Sequence, residues 1–371
     1  MPFVFADAFG HRFRFETAPG LFSAERVDDG TRLLLEHLPS SPPRSVLDLG
    51  CGYGALGLPV AATHPQARVE LVDRDALAVD LAARNAAAHG LSNVVAFPSL
   101  GLRDVGTREF DWVLCNVPAR IGDDAIAYFV AAGASLLREG GELRLVVIRA
   151  LDDVVRRVAD ERALPIRRVA EGARHVVFAC PRLDVPIADH ESLYLLDRVR
   201  VGEREFERPH DVNEDREHLQ AGIPLLLDYL PRGCSGAALC WRAGYGPVPA
   251  DLVRRGARVM ALDRDLLQLA FVRRNTGAHV STRLSARLVG EGARLFAGEL
   301  HASAGLDTLA EELVRSREVL AKGGEALWLC QRKLVEPLKI SIDRLGGSIL
   351  ATRGNYAVVR ITARRLGTGK P

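Results

Sequence analysis

The stretch Ser45-Val46-Leu47-Asp48-Leu49-Gly50-Cys51-Gly52-Tyr53-Gly54 decides the fold of this 371-residue chain. β-favouring apolar residues run into three glycines at alternate positions, and the apolar pattern Ala55-Leu56-Gly57-Leu58-Pro59-Val60 follows. That order reads as a buried strand, a tight turn and a helix start. Glycine at such a turn lets backbone approach a ligand closely, because no Cβ intervenes. Further on, Val69-Glu70-Leu71-Val72-Asp73 reads as a second strand ending in an acid, followed by Arg74. A carboxylate there can accept both hydroxyls of a ribose, so the two features together point to a nucleoside cofactor.

Read as Gly50-x-Gly52-x-x-Ala55 with Asp73 downstream, the turn also fits a dinucleotide fingerprint. Three details favour S-adenosylmethionine. The third glycine falls at Gly54, Asp48 precedes the first glycine by two positions, and Cys115-Asn116-Val117-Pro118 closes a later strand. Asp48, Gly50, Cys51, Gly52, Gly54, Asp73 and Arg74 are the cofactor candidates on this reading.

The flanking elements extend the pattern. Residues 3 to 15 alternate around Gly10-His11 and suggest a β-hairpin. A helix is expected over Arg32–Leu38, another over Leu77–His89, strands at Val94–Phe97 and Phe110–Cys115, a helix across Ile126–Leu137 closing on Glu139-Gly140-Gly141, and a strand at Leu143–Ile148. Strands alternating with helices of this length imply an α/β fold with a doubly wound, mostly parallel sheet.

The second half repeats the first. Gly10, Gly30, Leu33–Pro39 and Gly52-Tyr53-Gly54 recur at Gly202, Gly222, Leu225–Pro231 and Gly244-Tyr245-Gly246, all at an offset of 192. Asp73-Arg74-Asp75 and Arg84-Asn85 recur at 190, and Gly140-Gly141-Glu142 at 183. An offset that drifts only by loop-sized steps marks a duplication. Two tandem Rossmann-like domains are expected, 1–188 and 189–371. The second has lost its chemistry: Asp48 becomes Cys240, Gly50 becomes Arg242, Asp28 becomes Gln220, Thr31 becomes Ile223 and Asn116 becomes Glu299. It reads either as a packing partner or as a substrate holder.

Composition excludes other classes. Formal net charge is +2, with positive charge nearly all arginine. The six cysteines show no C-x-x-C spacing, so they read as reduced thiols and no metal site is expected. No basic leader or membrane-length apolar run occurs, which implies a soluble, cytoplasmic protein with no membrane partner.

Asn116 falls at the C-terminal end of the fourth strand, where open α/β sheets bind ligands. Its amide oxygen and a neighbouring backbone carbonyl can accept both hydrogens of an exocyclic amine, aiming the nitrogen lone pair at a methyl donor. Pro118 fixes the turn. The plainer alternative is that Asn116 only caps a loop.

Pro19-Gly20-Leu21-Phe22-Ser23, Asp28-x-Gly30-Thr31, the glycine turn and Asn116-x-Pro118-x-Arg120-x-Gly122 together resemble the RsmC/RlmG group of ribosomal RNA guanine-N2 methyltransferases and their single-domain MTS relatives. The resemblance covers residues 3 to about 180 and implies a class I methyltransferase fold. It adds Asp28, Gly30, Thr31, Ser99 and Asn116 to the cofactor set and makes Asn116, Val117 and Pro118 catalytic. Where such relatives place an aromatic after the proline, this chain has Ala119, so Phe22 or Arg120 is expected to face the base. The two-domain relatives also carry their degenerate copy first, the reverse of the order here. The implied substrate is a guanine in ribosomal RNA or a ribosomal subunit, turned out of its stack and held through phosphates. Arg156-Arg157, Arg167-Arg168, Arg254-Arg255, Arg273-Arg274 and Arg364-Arg365 are phosphate candidates; histidines 11, 37, 64, 89, 175 and 210 read as structural or surface residues. A protein amide or small-molecule amine, and a non-catalytic binding module, stay open as alternatives.

Overall fold

The computed structural model describes residues 2–106, 109–184, 191–210 and 217–363. Alternation at the N-terminus becomes an antiparallel hairpin, β1 (Phe3–Ala8) and β2 (His11–Glu16). Phe9 and Gly10 both take positive φ at its tip, the geometry that matches strand twist in a two-residue turn. Val4, Ala6, Phe13 and Phe15 are its buried face. α1 (Asp29–Leu35) starts three residues before the expected position because Asp28 caps it, accepting from the Gly30 and Thr31 N–H groups at 2.8 and 3.3 Å. There follow β3 (Ser45–Leu49), α2 (Gly57–Thr63), β4 (Arg68–Asp73), α3 (Ala76–Ala88), β5 (Val94–Pro98), β6 (Phe110–Asn116), α4 (Asp123–Ser135), β7 (Leu137–Ile148), α5 (Asp152–Glu161), β8 (Arg167–Glu171) and β9 (His175–Pro181).

These strands form one seven-stranded sheet in the order β5-β4-β3-β6-β7-β9-β8. The first five are parallel, and β9 runs antiparallel to both neighbours. One expectation is corrected. Gly140-Gly141 does not close α4 as a loop but lies inside β7, where the register against β6 shifts. Gly140 takes φ +76, and a Cβ on Gly141 would stand 2.9 Å from two β6 carbonyls, so this bulge needs both glycines.

The second unit repeats this plan: the hairpin β10 (Leu195–Val201) and β11 (Arg204–Pro209), α6 (Ile223–Tyr229), β12 (Gly236–Trp241), α7 (Pro247–Arg254), β13 (Ala257–Asp263), α8 (Leu266–Thr276), β14 (Val280–Leu284), β15 (Ala293–Leu300), α9 (Leu306–Glu318), β16 (Leu320–Gln331), α10 (Val335–Arg344), β17 (Ser348–Arg353) and β18 (Tyr356–Thr362). Its sheet order, β14-β13-β12-β15-β16-β18-β17, matches the first strand for strand. The tandem Rossmann-like architecture is therefore present. The chain divides into Met1–Leu195 and Leu196–Pro371; the expected joint at 188/189 lies outside the described residues.

Each unit fastens its hairpin to its Gly-Tyr-Gly turn by one asparagine. The Asn85 side chain accepts from the Glu16 N–H at 2.7 Å and donates to the Glu16 and Tyr53 carbonyls, both at 2.9 Å. Asn275 does the same for Glu207 and Tyr245. Arg84 and Arg274 pair with the same two glutamates. The motif that recurs most visibly in sequence is thus a structural clamp.

Candidate active site

At the C-terminal edge of β3, Gly50, Gly52 and Gly54 have φ of +79, +55 and +94, a region that side chains other than glycine rarely adopt. A Cβ on Gly50 or Gly52 would meet nothing within 4 Å, whereas one on Gly54 would stand 2.7 Å from Leu58. The first two glycines therefore front open space and the third allows packing of the helix behind. Asp73 ends β4 beside them. It accepts from the Gly52 N–H at 2.9 Å through one oxygen and from the Asp75 N–H at 2.9 Å through the other, which fixes its plane. Arg74 follows it, half-buried. A glycine cradle fronted by space and flanked by an oriented carboxylate fits a nucleoside cofactor. Cys51 faces the core, and burial pushes its thiol far above the ordinary value, so it contributes backbone rather than a nucleophile.

Asp48 is only 1% exposed, and one of its oxygens accepts from the Gly57 N–H at 2.8 Å. Burial pushes its carboxyl up to about 7, against the Gly57 hydrogen bond and with help from Asp73. Since the folded pKa lies above the unfolded one, folding takes up a proton between about pH 4 and pH 7. Stability from this group is present below that window and lost as pH rises through it. Asp48→Asn should therefore gain stability relative to the parent as pH rises from 4 to 7. Thermal melting of both proteins across that range checks this; a constant difference in midpoint would contradict it.

Asn116 ends β6, and its amide is gripped from α1. The Nδ2 group donates to Asp28 Oδ2 at 3.1 Å and to Thr31 Oγ1 at 3.0 Å. A carboxylate can only accept, so the amide orientation is dictated and Oδ1 is turned away from α1. Asp28 is thus cap and clamp at once. His175, first residue of β9 and 8% exposed, places Nε2 3.7 Å from Asp28 Oδ2. Sequence reasoning took it for a structural or surface residue. Nothing local marks it, because the long β7–β9 return brings it here.

Gly30 has a packing explanation. A Cβ there would stand 2.8 Å from the His175 ring, and Gly222 in the second unit makes the same room for Tyr356 and His218 at 3.2 Å. Val117 is buried, and its N–H donates to the Val146 carbonyl at 2.9 Å, while Pro118, Ala119 and Arg120 are exposed beyond it. Phe22, 69% exposed, lies in a loop held by the Tyr53 hydroxyl, which donates to the Ser23 carbonyl at 3.0 Å. Ser99 is buried, with its hydroxyl donating to the Gly101 carbonyl at 2.9 Å and accepting from the Asp104 N–H at 3.1 Å. The side chain therefore shapes its own loop. Asp28, Thr31, Asn116 and His175 form one cluster and Gly50, Gly52 and Asp73 another, while the loop that carries Phe22 is tied to the glycine turn through Tyr53.

The corresponding positions in the second unit are filled. Arg242 keeps the positive φ of Gly50 at +53 and pairs with the buried Glu312 at 2.7 Å, which also accepts from the Trp241 indole at 3.1 Å. Glu299 stands where Asn116 stands and bonds His218 at 3.0 Å. Burial pushes its carboxyl up, but the charges and hydrogen bonds of His218 and then His301 outweigh this and hold it well below the usual range.

Four of the five arginine pairs singled out as phosphate contacts are held within the protein. Arg156 pairs with Asp152 and Asp153, Arg157 with Asp123, Arg167 with Glu142, and Arg168 with Asp152 and Glu171. Arg254 and Arg255 share Asp251, Arg273 donates to Thr282 at 2.8 Å and Arg274 pairs with Glu207. Arg364-Arg365 lies outside the described residues. Among the described residues no group of three or more potential ligands is arranged to hold a metal, and no helix is long and apolar enough to cross a membrane.

Residues 12–178 match the family model described as methyltransferase small domain. A ribosomal RNA small subunit methyltransferase C from Pseudomonas entomophila is 42% identical over 132 residues, 34% of this chain and 39% of that protein. Its namesake from Hahella chejuensis is 37% identical over 174 residues, 45% of this chain and 48% of that protein. The chain thus spans less than half the length of these relatives. A T. thermophilus structure described as a 16S rRNA N2 methyltransferase (RsmC) in complex with AdoMet and guanosine aligns over 98% of both chains, with TM-score 0.69 and 21% identity. That likeness is one of fold, and it includes both units.

Proposed function

We propose that this chain, RsmC-like in the sequence of its first unit and in its overall fold, is a cytoplasmic S-adenosylmethionine-dependent methyltransferase acting on the exocyclic N2 of a guanine in ribosomal RNA. The observation that carries the reading is the Asn116 amide, oriented by Asp28 and Thr31 beside the open glycine cradle. The relatives' names and the guanosine in the T. thermophilus complex support the choice of guanine.

S-adenosylmethionine supplies an electrophilic methyl group on a sulfonium; Gly50, Gly52 and Asp73 would hold it. The residues' task is to position a weakly nucleophilic amine: the N–C bond would form as the S–C bond breaks to leave a neutral thioether, and the proton that N2 must then shed would pass to solvent. Asn116 Oδ1 accepts one N2 hydrogen. The Val117 carbonyl, next to a proline that has no N–H, accepts the other. Two acceptors turn the lone pair toward the methyl group and favour the positive charge developing on nitrogen. Phe22 and Arg120 would flank the extruded base. The second unit, its cradle closed by Arg242, binds no cofactor on this reading and serves packing or substrate holding.

The test is transfer of labelled methyl to naked ribosomal RNA, assembled subunits and total protein, with nucleosides identified by mass. N2-methylguanosine supports the reading; label only in protein, or none, overturns it. Thr31→Val tests the grip without touching the cap, because it removes the Oγ1 acceptor of Asn116 Nδ2 and leaves Asp28 on the Gly30 and Thr31 N–H groups. Folding stability should fall by about 1 kcal/mol, the usual size of one hydrogen bond. The grip on Asn116 loosens, and kcat should fall about tenfold at constant cofactor affinity. Unchanged kcat would show that the grip does not matter.

A further inference from the structure

The outward face of the N-terminal hairpin carries Phe3, Phe5 and Phe9, exposed by 48%, 49% and 41%, among exposed Arg12 and Arg14. Each arginine lies over an aromatic ring: Arg12 over Phe5 at 5.1 Å and Arg14 over Phe3 at 4.7 Å. Among the described residues neither has a carboxylate at ion-pair distance. Asp7 is the Cα partner of Arg12, and Glu16, the partner of Phe3, is taken by Arg84. We propose that this face is an RNA-docking platform, on which unstacked bases lie against Phe3 and Phe5 while Arg12 and Arg14 meet the phosphates.

Three observations carry it. First, the arginine pairs elsewhere are held by acids or a hydroxyl, so these two cations, which rest on rings instead, remain available to phosphates. Second, the duplicated hairpin is an internal control. There Arg198 pairs with Glu207 at 2.9 Å, Arg208 pairs with Asp197 at 2.6 Å, and Phe206 is buried. The same scaffold in the unit that lost its cradle thus has two of its arginines paired with acids and shows no exposed phenylalanine; its exposed Arg204 rests at 5.4 Å over Phe206, a ring that is buried and so offers no face to a base. Third, the platform is tied to the site: Asn85 bonds the Tyr53 carbonyl, Phe15 packs on the Tyr53 ring at 5.8 Å, and the Tyr53 hydroxyl holds the Phe22 loop. Phe3 and Phe5 lie roughly 6–7 Å apart along one strand face, so they suit splayed neighbouring bases, and aromatic faces accept any base. Charge and rings together favour RNA over a protein partner.

The proposal rests on the RNA reading above, and one titration separates the two. A labelled single-stranded RNA of about 12 nucleotides is titrated into the full chain and into Phe3→Thr/Phe5→Thr and Arg12→Gln/Arg14→Gln. S-adenosylmethionine affinity and thermal midpoint serve as folding controls, and all four side chains are solvent-facing. The phenylalanine variant should bind at least tenfold more weakly. The arginine variant should lower the slope of log affinity against log salt by about 1.4, or 0.7 per lost contact. Both should raise KM for RNA methylation and leave kcat unchanged. Parent-like RNA binding by both variants, with methylation intact, overturns the platform while the function stands, and is the outcome expected of a protein-docking face. A parent that methylates no RNA but loses RNA binding in the variants overturns the function while the platform stands.

Discussion

Asn116→Ala should lower kcat for methyl transfer by about 10²–10³-fold, the usual cost of removing one preorganised polar group at a developing charge, and leave S-adenosylmethionine affinity unchanged. The separation follows from geometry, because Asn116 is held from α1 while the cradle is built from the β3 turn and Asp73. Asn116→Asp should be as damaging as alanine. It keeps the acceptor but loses both donors, and sets a second carboxylate about where Nδ2 now lies 3.1 Å from Asp28. Two carboxylates that close cannot both ionise freely, so the side chain turns away or takes up a proton. Single-turnover transfer beside calorimetric cofactor binding reads both quantities. An active Asn116→Asp enzyme would show that only an acceptor is needed and that the Asp28–Thr31 grip is incidental.

That grip also marks where sequence reasoning ran out. The glycine turn was legible because positive φ has a residue signature. The duplication was legible because two copies of one fold need the same turns, caps and clamp. Asp28 was picked out by resemblance as a cofactor residue, yet its observed partner lies 88 residues away, and no local pattern announces that. His175 is of the same kind. The partners of the arginine pairs were illegible for the same reason: the acids that face them, such as Asp123 for Arg157 and Glu142 for Arg167, come from other elements. Local conformation is written locally, whereas a side chain's role depends on what the topology brings to it.

The two copies test one another. Gly30, Tyr53, Gly54, Asp75 and Asn85 recur in the second unit and each has a packing or capping task there, so their persistence follows from the fold alone. Asp28, Thr31, Asp48, Gly50 and Asn116 do not recur. A position kept in one copy and lost in the other is where a chemical role is to be sought. Asp28, Thr31, Gly50 and Asn116 meet that condition without any comparison to relatives, whereas Gly52 and Asp73 recur as Gly244 and Asp263 and are singled out by the open space before the turn alone.

Gly50→Arg, which copies the second unit's residue into the first, should therefore weaken S-adenosylmethionine binding by at least a hundredfold. Arginine at φ +79 carries a backbone cost of about 1–2 kcal/mol, and its side chain starts in the open space that a Cβ there would enter. The second unit tolerates the change because Glu312 of α9 receives the guanidinium at 2.7 Å. The matching residue of α4 is Phe129, which offers no acceptor, so the new cation is left to the cradle. The reciprocal change has the opposite signature. Arg242→Gly strips the partner from a buried carboxylate and should cost about 3 kcal/mol of stability without altering cofactor affinity, the outcome expected where the first unit alone binds it. Calorimetric titration and thermal melting of both variants read the crossed pattern. Undiminished affinity in Gly50→Arg would mean the cofactor sits elsewhere. Weakened affinity in Arg242→Gly would mean the second copy has kept a hand in binding.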